Sequence, residues 1–295
     1  MSNFDDIFAA PSQAEHTAQP GGDDREAWIA ARKQELEAVN TLADTTTQRI
    51  AVNGELFQTY LDIQSRIGRY SVKNAILLTA QCPGATRLAT FADWQRDGVS
   101  INKGEKGISI LVPKGQYSRG DGSKGTRYGV SKVFDISQTS AMSVDRPAAY
   151  DDRKLLSAMV RSSPCPIEIR NDMNGNIAAR YHPDDRKIYV RQGLDAGTIF
   201  RSVTQEMGIA AYAKKGQQRS ECEFEAYCIS YMLCRRFGVS AADYRFERLP
   251  AGLGDLSVKA FHSKLYGIRD TANGISNTLQ QILEPRQKNR DSSAR

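Results

Sequence analysis

Apolar positions recur at helical spacing through the first eighty residues. Trp28, Leu36, Val39 and Leu42 predict a helix from about residue 25 to 50. Asn53-Gly54 interrupts it. Leu56, Phe57, Tyr60, Leu61, Ile63 and Ile67 then form the apolar face of a second helix, stopped at Gly68. Ser71 or Asn74 can cap a third, which ends before Cys82-Pro83-Gly84, and Thr90 a short fourth carrying Phe91 and Trp94 and closed by Gly98. The period then shortens. Val99–Ile101 and Ile108–Val112 read as strands on either side of a Lys103–Gly107 turn, the second stopped by Pro113. Residues 114–126 are polar and Gly-rich, the pattern of a mobile hairpin loop, and the weak alternation from Tyr128 to Phe134 predicts a strand pairing back.

The second half repeats these textures. Leu155–Val160 is helical, Ile167–Ile169 a short strand, and Asn174-Gly175-Asn176 a hairpin turn leading to its partner at Ala178–Tyr181. Pro183-Asp184-Asp185 turns into the strand Lys187–Val190, and three helices follow at about 196–214, 219–237 and 255–283. The chain divides into a disordered leader (1–22), a front domain (23–140), a linker (141–152), a rear domain (153–284) and a polar tail (285–295). The fold class is α+β: N-terminal helices packed on a small antiparallel sheet, then a second α+β domain rich in helix.

Composition narrows the function. The 295 residues are 40% hydrophobic and 25% charged, enough to build a core. No run of about 18 apolar residues occurs, and the acidic N-terminus lacks the order of a secretory signal, so a cytoplasmic protein with no membrane partner is expected. Five cysteines without a CxxC argue against a disulfide framework or a cysteine zinc cluster. No two of the three histidines (His16, His182, His262) lie at metal-ligand spacing, which all but excludes a histidine-rich zinc site, and no cofactor is expected. Charge is uneven. Residues 1–50 hold four Lys/Arg against nine Asp/Glu, whereas 69–132 hold eleven against four. Clustered cations suit a polyanion, since each neutralised phosphate releases a counterion; they also suit a plain solvated surface.

Several ordered blocks carry more specific information: Tyr70-Ser71-Val72-Lys73-Asn74-Ala75-Ile76-Leu77-Leu78, Gln81-Cys82-Pro83-Gly84-Ala85-Thr86, Phe91-Ala92-Asp93-Trp94, Lys103-Gly104-Glu105-Lys106-Gly107-Ile108, and Val133-Phe134-Asp135-Ile136-Ser137-Gln138-Thr139. Together they resemble the ArdC-type antirestriction family over about residues 25–140. The resemblance implies a single-stranded DNA-binding domain of the kind found on conjugative plasmids and other mobile elements. A sequence-tolerant single-strand binder needs cations along the phosphates and flat rings for the bases. Arg69, Lys73, Arg87, Arg96, Lys103, Lys106, Lys114, Arg119, Lys124 and Arg127 supply the first, and Tyr70, Tyr117, Tyr128 and Phe134 the second. Asn74, Gln81 and Gln138 offer amides to sugar, phosphate or base edges. Structural alternatives stand beside these: Trp94 as core, Tyr70 as a hydrophobic staple, Asn74 as a cap.

The family's second domain is a zincin-like metallopeptidase, in which H-E-x-x-H sets two histidines and a general base on one helix face and a later carboxylate completes the site. Here Gln205 stands at the first histidine position and Ile209 at the second, while Glu206 matches the base and Glu223 the carboxylate ligand. Isoleucine cannot coordinate and a glutamine amide is a poor zinc ligand. The resemblance therefore implies a degenerate, metal-free and non-enzymatic domain. Three readings remain: a DNA-protecting single-strand binder, a metalloprotease with atypical ligands drawn from His182, Glu206 and Glu223, and an interaction module binding a host or element-encoded protein.

Overall fold

The computed structural model describes residues 22–141 and 150–284; the leader, most of the linker and the tail lie outside them. The chain is α+β. Helices α1 (Gly22–Val52), α2 (Gly54–Arg66) and α3 (Val72–Gln81) lead into a short strand β1 (Leu88–Ala89), α4 (Phe91–Arg96) and two long strands, β2 (Ile108–Ser118) and β3 (Lys124–Asp135). Then come α5 (Asp152–Ser162), strands β4 (Ile167–Arg170), β5 (Ala179–His182) and β6 (Lys187–Arg191), and helices α6 (Ala196–Ala213), α7 (Arg219–Phe237) and α8 (Val258–Leu283). Among the described residues, no helix is long and apolar enough to cross a membrane.

Local signals set most boundaries. Asn53 Oδ1 accepts the Leu56 N–H at 2.8 Å, Ser71 Oγ that of Asn74 at 3.2 Å, and Thr90 Oγ1 that of Asp93 at 3.1 Å. Ser71, and not Asn74, is thus the cap of α3. Gly238, in the left-handed conformation, ends α7.

Four expectations fail for physical reasons. Val99–Ile101 is no strand; it contributes a single bridge, Ile101 to Thr139. Pro113 does not stop β2, because the strand lies on the edge of a sheet ordered β1-β3-β2 and a bulge between Pro113 and Gly115 absorbs the irregularity. The ladder therefore runs on to Ser118 opposite Lys124, through what reads as loop. In the rear half β6 lies between β4 and β5, parallel to the first and antiparallel to the second, so Asn174–Asn176 is no hairpin turn. The fully buried Ile188 and nearly buried Val190 put β6 at the centre, where two neighbours cover it.

The two halves share one continuous core. Phe57 on α2 packs against Phe224, Phe246 and Phe261, with ring centroids 5.5, 5.9 and 6.4 Å away. Gly54 makes this approach possible, since a Cβ there would lie 1.7 Å from the Phe246 carbonyl oxygen. Arg236 on α7 donates to the carbonyls of Ser65 (2.9 Å) and Gln64 (3.1 Å), placing a cation at the negative end of α2.

Candidate nucleic-acid interface and the surroundings of Glu206

Strands β2 and β3 form a ribbon that leaves the core partway along its length. Ile108 and Ile110 are buried, but every β2 residue from Pro113 to Ser118 is exposed. At roughly 3.3 Å per residue, the exposed end extends about 17 Å beyond Pro113. It carries Lys114, Arg119, Lys124 and Arg127 against a single acid, Asp121.

Two glycines shape one face of the ribbon. A Cβ on Gly125 would lie 2.5 Å from Tyr117 Cζ, so the ring lies across that bare backbone. The Lys114 stem covers Gly129 in the same way, at 2.8 Å. Arg127 lies between these glycines on the same side by strand alternation. The Arg119 guanidinium sits 6.0 Å from the Tyr117 centroid. Tyr128 and Lys124 occupy the opposite face. Both tyrosines are open to solvent, 43% exposed for Tyr117 and 52% for Tyr128.

The other sequence-derived candidates lie elsewhere. Lys103 and Lys106 are exposed on the turn at the base of the ribbon, away from its tip. Arg69 is exposed, with its guanidinium 5.6 Å from the Tyr70 ring, and Tyr70 packs partly against the core. Phe134 is half-buried beside Gly107, and its carbonyl accepts the Nε1–H of the fully buried Trp94 at 2.9 Å. Lys73 points between helices, donating to Asn40 Oδ1 at 2.8 Å and lying 3.9 Å from Asp44.

The three amides are occupied within the fold. Asn74 Nδ2 donates to the Leu111 carbonyl and its Oδ1 accepts the Leu111 N–H, both at 2.9 Å. One turn pair further along α3, Gln81 treats Ser109 likewise, at 3.0 and 2.9 Å. Two side chains thus complete the open edge of β2, as a neighbouring strand would. Gln138 accepts from the Asp135 N–H at 3.0 Å and donates to Glu105 Oε2 at 2.8 Å and the Lys106 carbonyl at 3.0 Å. These residues position the surface; their amide groups are not free to face a ligand.

In the rear half, α6 carries Gln205, Glu206 and Ile209. Glu206 is buried, and its Oε2 accepts the Tyr181 N–H from β5 at 2.7 Å. Arg219, at the start of α7, clasps the same carboxylate: Nη1 donates to Oε1 at 3.1 Å and Nη2 pairs with Oε2. Arg219 Nη1 is also 3.9 Å from Glu223 Oε1, on a mostly exposed side chain. A guanidinium therefore lies between the Glu206 and Glu223 carboxylates. Ile209 is buried and offers no donor atom, and both oxygens of Glu206 are already engaged by cation and amide. This donor set does not fit a divalent transition metal. Among the described residues, no three His, Cys, Asp or Glu side chains converge as ligands.

His182 does not join Glu206. It is exposed on β5, edge-on to Tyr189 with centroids 5.0 Å apart. Cys222, Cys228 and Cys234 are buried on α7, and burial pushes all three thiols up, Cys234 to about 11. They are packing residues. Arg219 escaped sequence reasoning altogether. Its one local hint was the four-residue spacing to Glu223, and nothing local couples it to Glu206.

Comparison with known proteins agrees with the motif blocks. Residues 39–142 match the N-terminal domain of anti-restriction factor ArdC. The Mn(II)-bound crystal structure of the antirestriction ArdC protein from the R388 plasmid aligns with a TM-score of 0.51 at 16% identity, covering 83% of this chain and 99% of that one. Its metal-free counterpart aligns over 72% of this chain and 85% of that one, at 17% identity and a TM-score of 0.46. The uncharacterized protein pXO2-81 of Bacillus anthracis is 22% identical over 78% of this chain, which spans about half (49%) of that relative's length. The front segment is thus of the ArdC N-terminal type, and the chain shares the α+β fold of the antirestriction protein.

Proposed function

We propose that this chain binds single-stranded DNA and acts as a plasmid-associated antirestriction protein that shields incoming DNA in the cytoplasm, with no peptidase activity of its own. The projecting ribbon carries the reading. Its cations follow a phosphate backbone, while Tyr117 and Tyr128 present a ring on each face to unpaired bases. Both groups stand outside the core, where a strand can reach them without opening the fold. Lys103 and Lys106 extend the basic track toward the base of the ribbon.

The non-enzymatic part of the proposal rests on Arg219. With a guanidinium against Glu206 and an isoleucine at 209, these positions make a poor cradle for an ion that would lower the pKa of a water, and the glutamate is engaged by Arg219 and the Tyr181 N–H instead of being free to act as a base. The R388 structure is described as Mn(II)-bound; in this chain Gln205 and Ile209 occupy the histidine positions of the H-E-x-x-H pattern.

Fluorescence anisotropy with a labelled oligo-dT, read at several salt concentrations against a duplex competitor, tests the binding. Affinity should fall steeply with salt, and duplex should compete poorly. Tyr117→Ala and Arg127→Glu should each weaken binding about fivefold or more. Salt-insensitive binding, or a preference for duplex, would overturn the reading.

A further inference from the structure

We infer that the rear half contributes directly to the strand's path, through a groove in which Lys73 of α3 faces Lys259, His262, Ser263 and Tyr266 of α8. This inference rests on the single-strand reading and assigns it a second contact surface, built jointly by both halves of the chain.

The groove has a volume of about 550 Å³ and is completed by Asp44 of α1 and Val258. It is open and shallow instead of enclosed. Its chemistry matches a nucleotide unit. Lys73 and Lys259 bring two ammonium groups against one carboxylate, that of Asp44, so the cleft favours an anion. Lys259 is exposed and has no ion pair among the described residues. The exposed Ser263 adds a hydroxyl donor. Tyr266 is 38% exposed, with the Arg269 guanidinium 4.9 Å from its ring centroid, an arrangement that steadies a ring on which a base can stack. His262 is fixed in place, its Nε2 2.9 Å from Thr47 Oγ1.

The groove is also near the ribbon. Lys73 adjoins Asn74, which is hydrogen-bonded to Leu111, and Leu111 lies three residues before Lys114. At about 3.3 Å per residue, roughly 10 Å of strand separates that anchor from the first cation of the exposed ribbon. A single strand can engage both surfaces within a short stretch, whereas a duplex is too stiff to lay one base into the cleft. The tight docking of α2 on α7 holds the two contributing halves in register.

The test uses the full chain and a labelled 20-nucleotide oligo-dT. Lys259→Glu and Tyr266→Ala lie on the exposed side of α8 and should melt like the parent protein. Each should weaken binding at least about fivefold, the lower end of what one stacked base contributes, and Lys259→Glu should also flatten the salt dependence. Tyr266→Phe, which keeps the ring, should bind like the parent. Ribbon variants that lose affinity while both α8 variants bind normally would overturn this inference and leave the single-strand reading intact. A parent protein that ignores oligo-dT would overturn both.

Discussion

Arg219 and Glu206, thirteen residues apart, form a two-pronged ion pair that joins the first turn of α7 to the middle of α6. The Glu206 side chain is only 6% exposed, so that partner and the Tyr181 N–H take the place of water around its carboxylate. Arg219→Ala should cost about 3 kcal/mol, the lower end for breaking a buried pair, because the arginine is a quarter exposed. Replacing both residues by leucine should recover most of the loss. Urea unfolding of the two variants checks this; equal destabilisation by both would show that the pair is not what matters.

Asn74 has a structural task that is separable from ligand binding. Asn74→Ala leaves the Leu111 N–H and carbonyl without partners beside a buried helix, a loss of roughly 1–3 kcal/mol. Asn74→Asp keeps the acceptor but sets a carboxylate against the Leu111 carbonyl, and should be worse. Well below the melting temperature, oligo-dT affinity of Asn74→Ala should match the parent. A large affinity loss in a fully folded variant would mean that the amide touches the strand after all.

At Gly54 the start of α2 lies directly against backbone of the rear half. A methyl group there meets the Phe246 carbonyl, a backbone atom that cannot swing aside. Gly54→Ala should therefore destabilise by more than 2 kcal/mol, although alanine ordinarily favours a helix. Thermal melts followed by circular dichroism would register the drop, and an unchanged melting temperature would contradict the packing described.

His262 should make the protein acid-sensitive. Burial and then Lys73 push its pKa below the usual 6.5, with Asp44 pulling the other way. The unfolded chain thus binds more protons as the pH falls below about 6.5, and stability declines over that range. Between pH 7 and 5.5 the urea midpoint of the parent should fall more than that of His262→Gln. Parallel declines would remove His262 as the cause.

Much of the architecture was legible from residues close together in the chain. Helical spacing located α2, α3, α6, α7 and α8 to within a few residues, and Asn53, Thr90 and Gly98 marked ends as their chemistry requires. The Lys- and Tyr-bearing segment after residue 113 reads as basic, but its glycines point to a loose loop. They are instead the floor on which Tyr117 and Lys114 lie. Composition shows that a glycine lacks a side chain; only the facing strand shows what takes up the space.

Sequence by itself determined the helices, the α+β class, the cationic front segment and the absence of histidines at 205 and 209, because periodicity, capping and residue chemistry act within a few residues. Tertiary structure alone decided that Asn74 and Gln81 serve the edge of β2, that β6 runs between β4 and β5, and that Arg219 closes on Glu206. Those partners are brought together from 13 to 37 residues away, and their pairing depends on how whole elements dock, which no local pattern encodes.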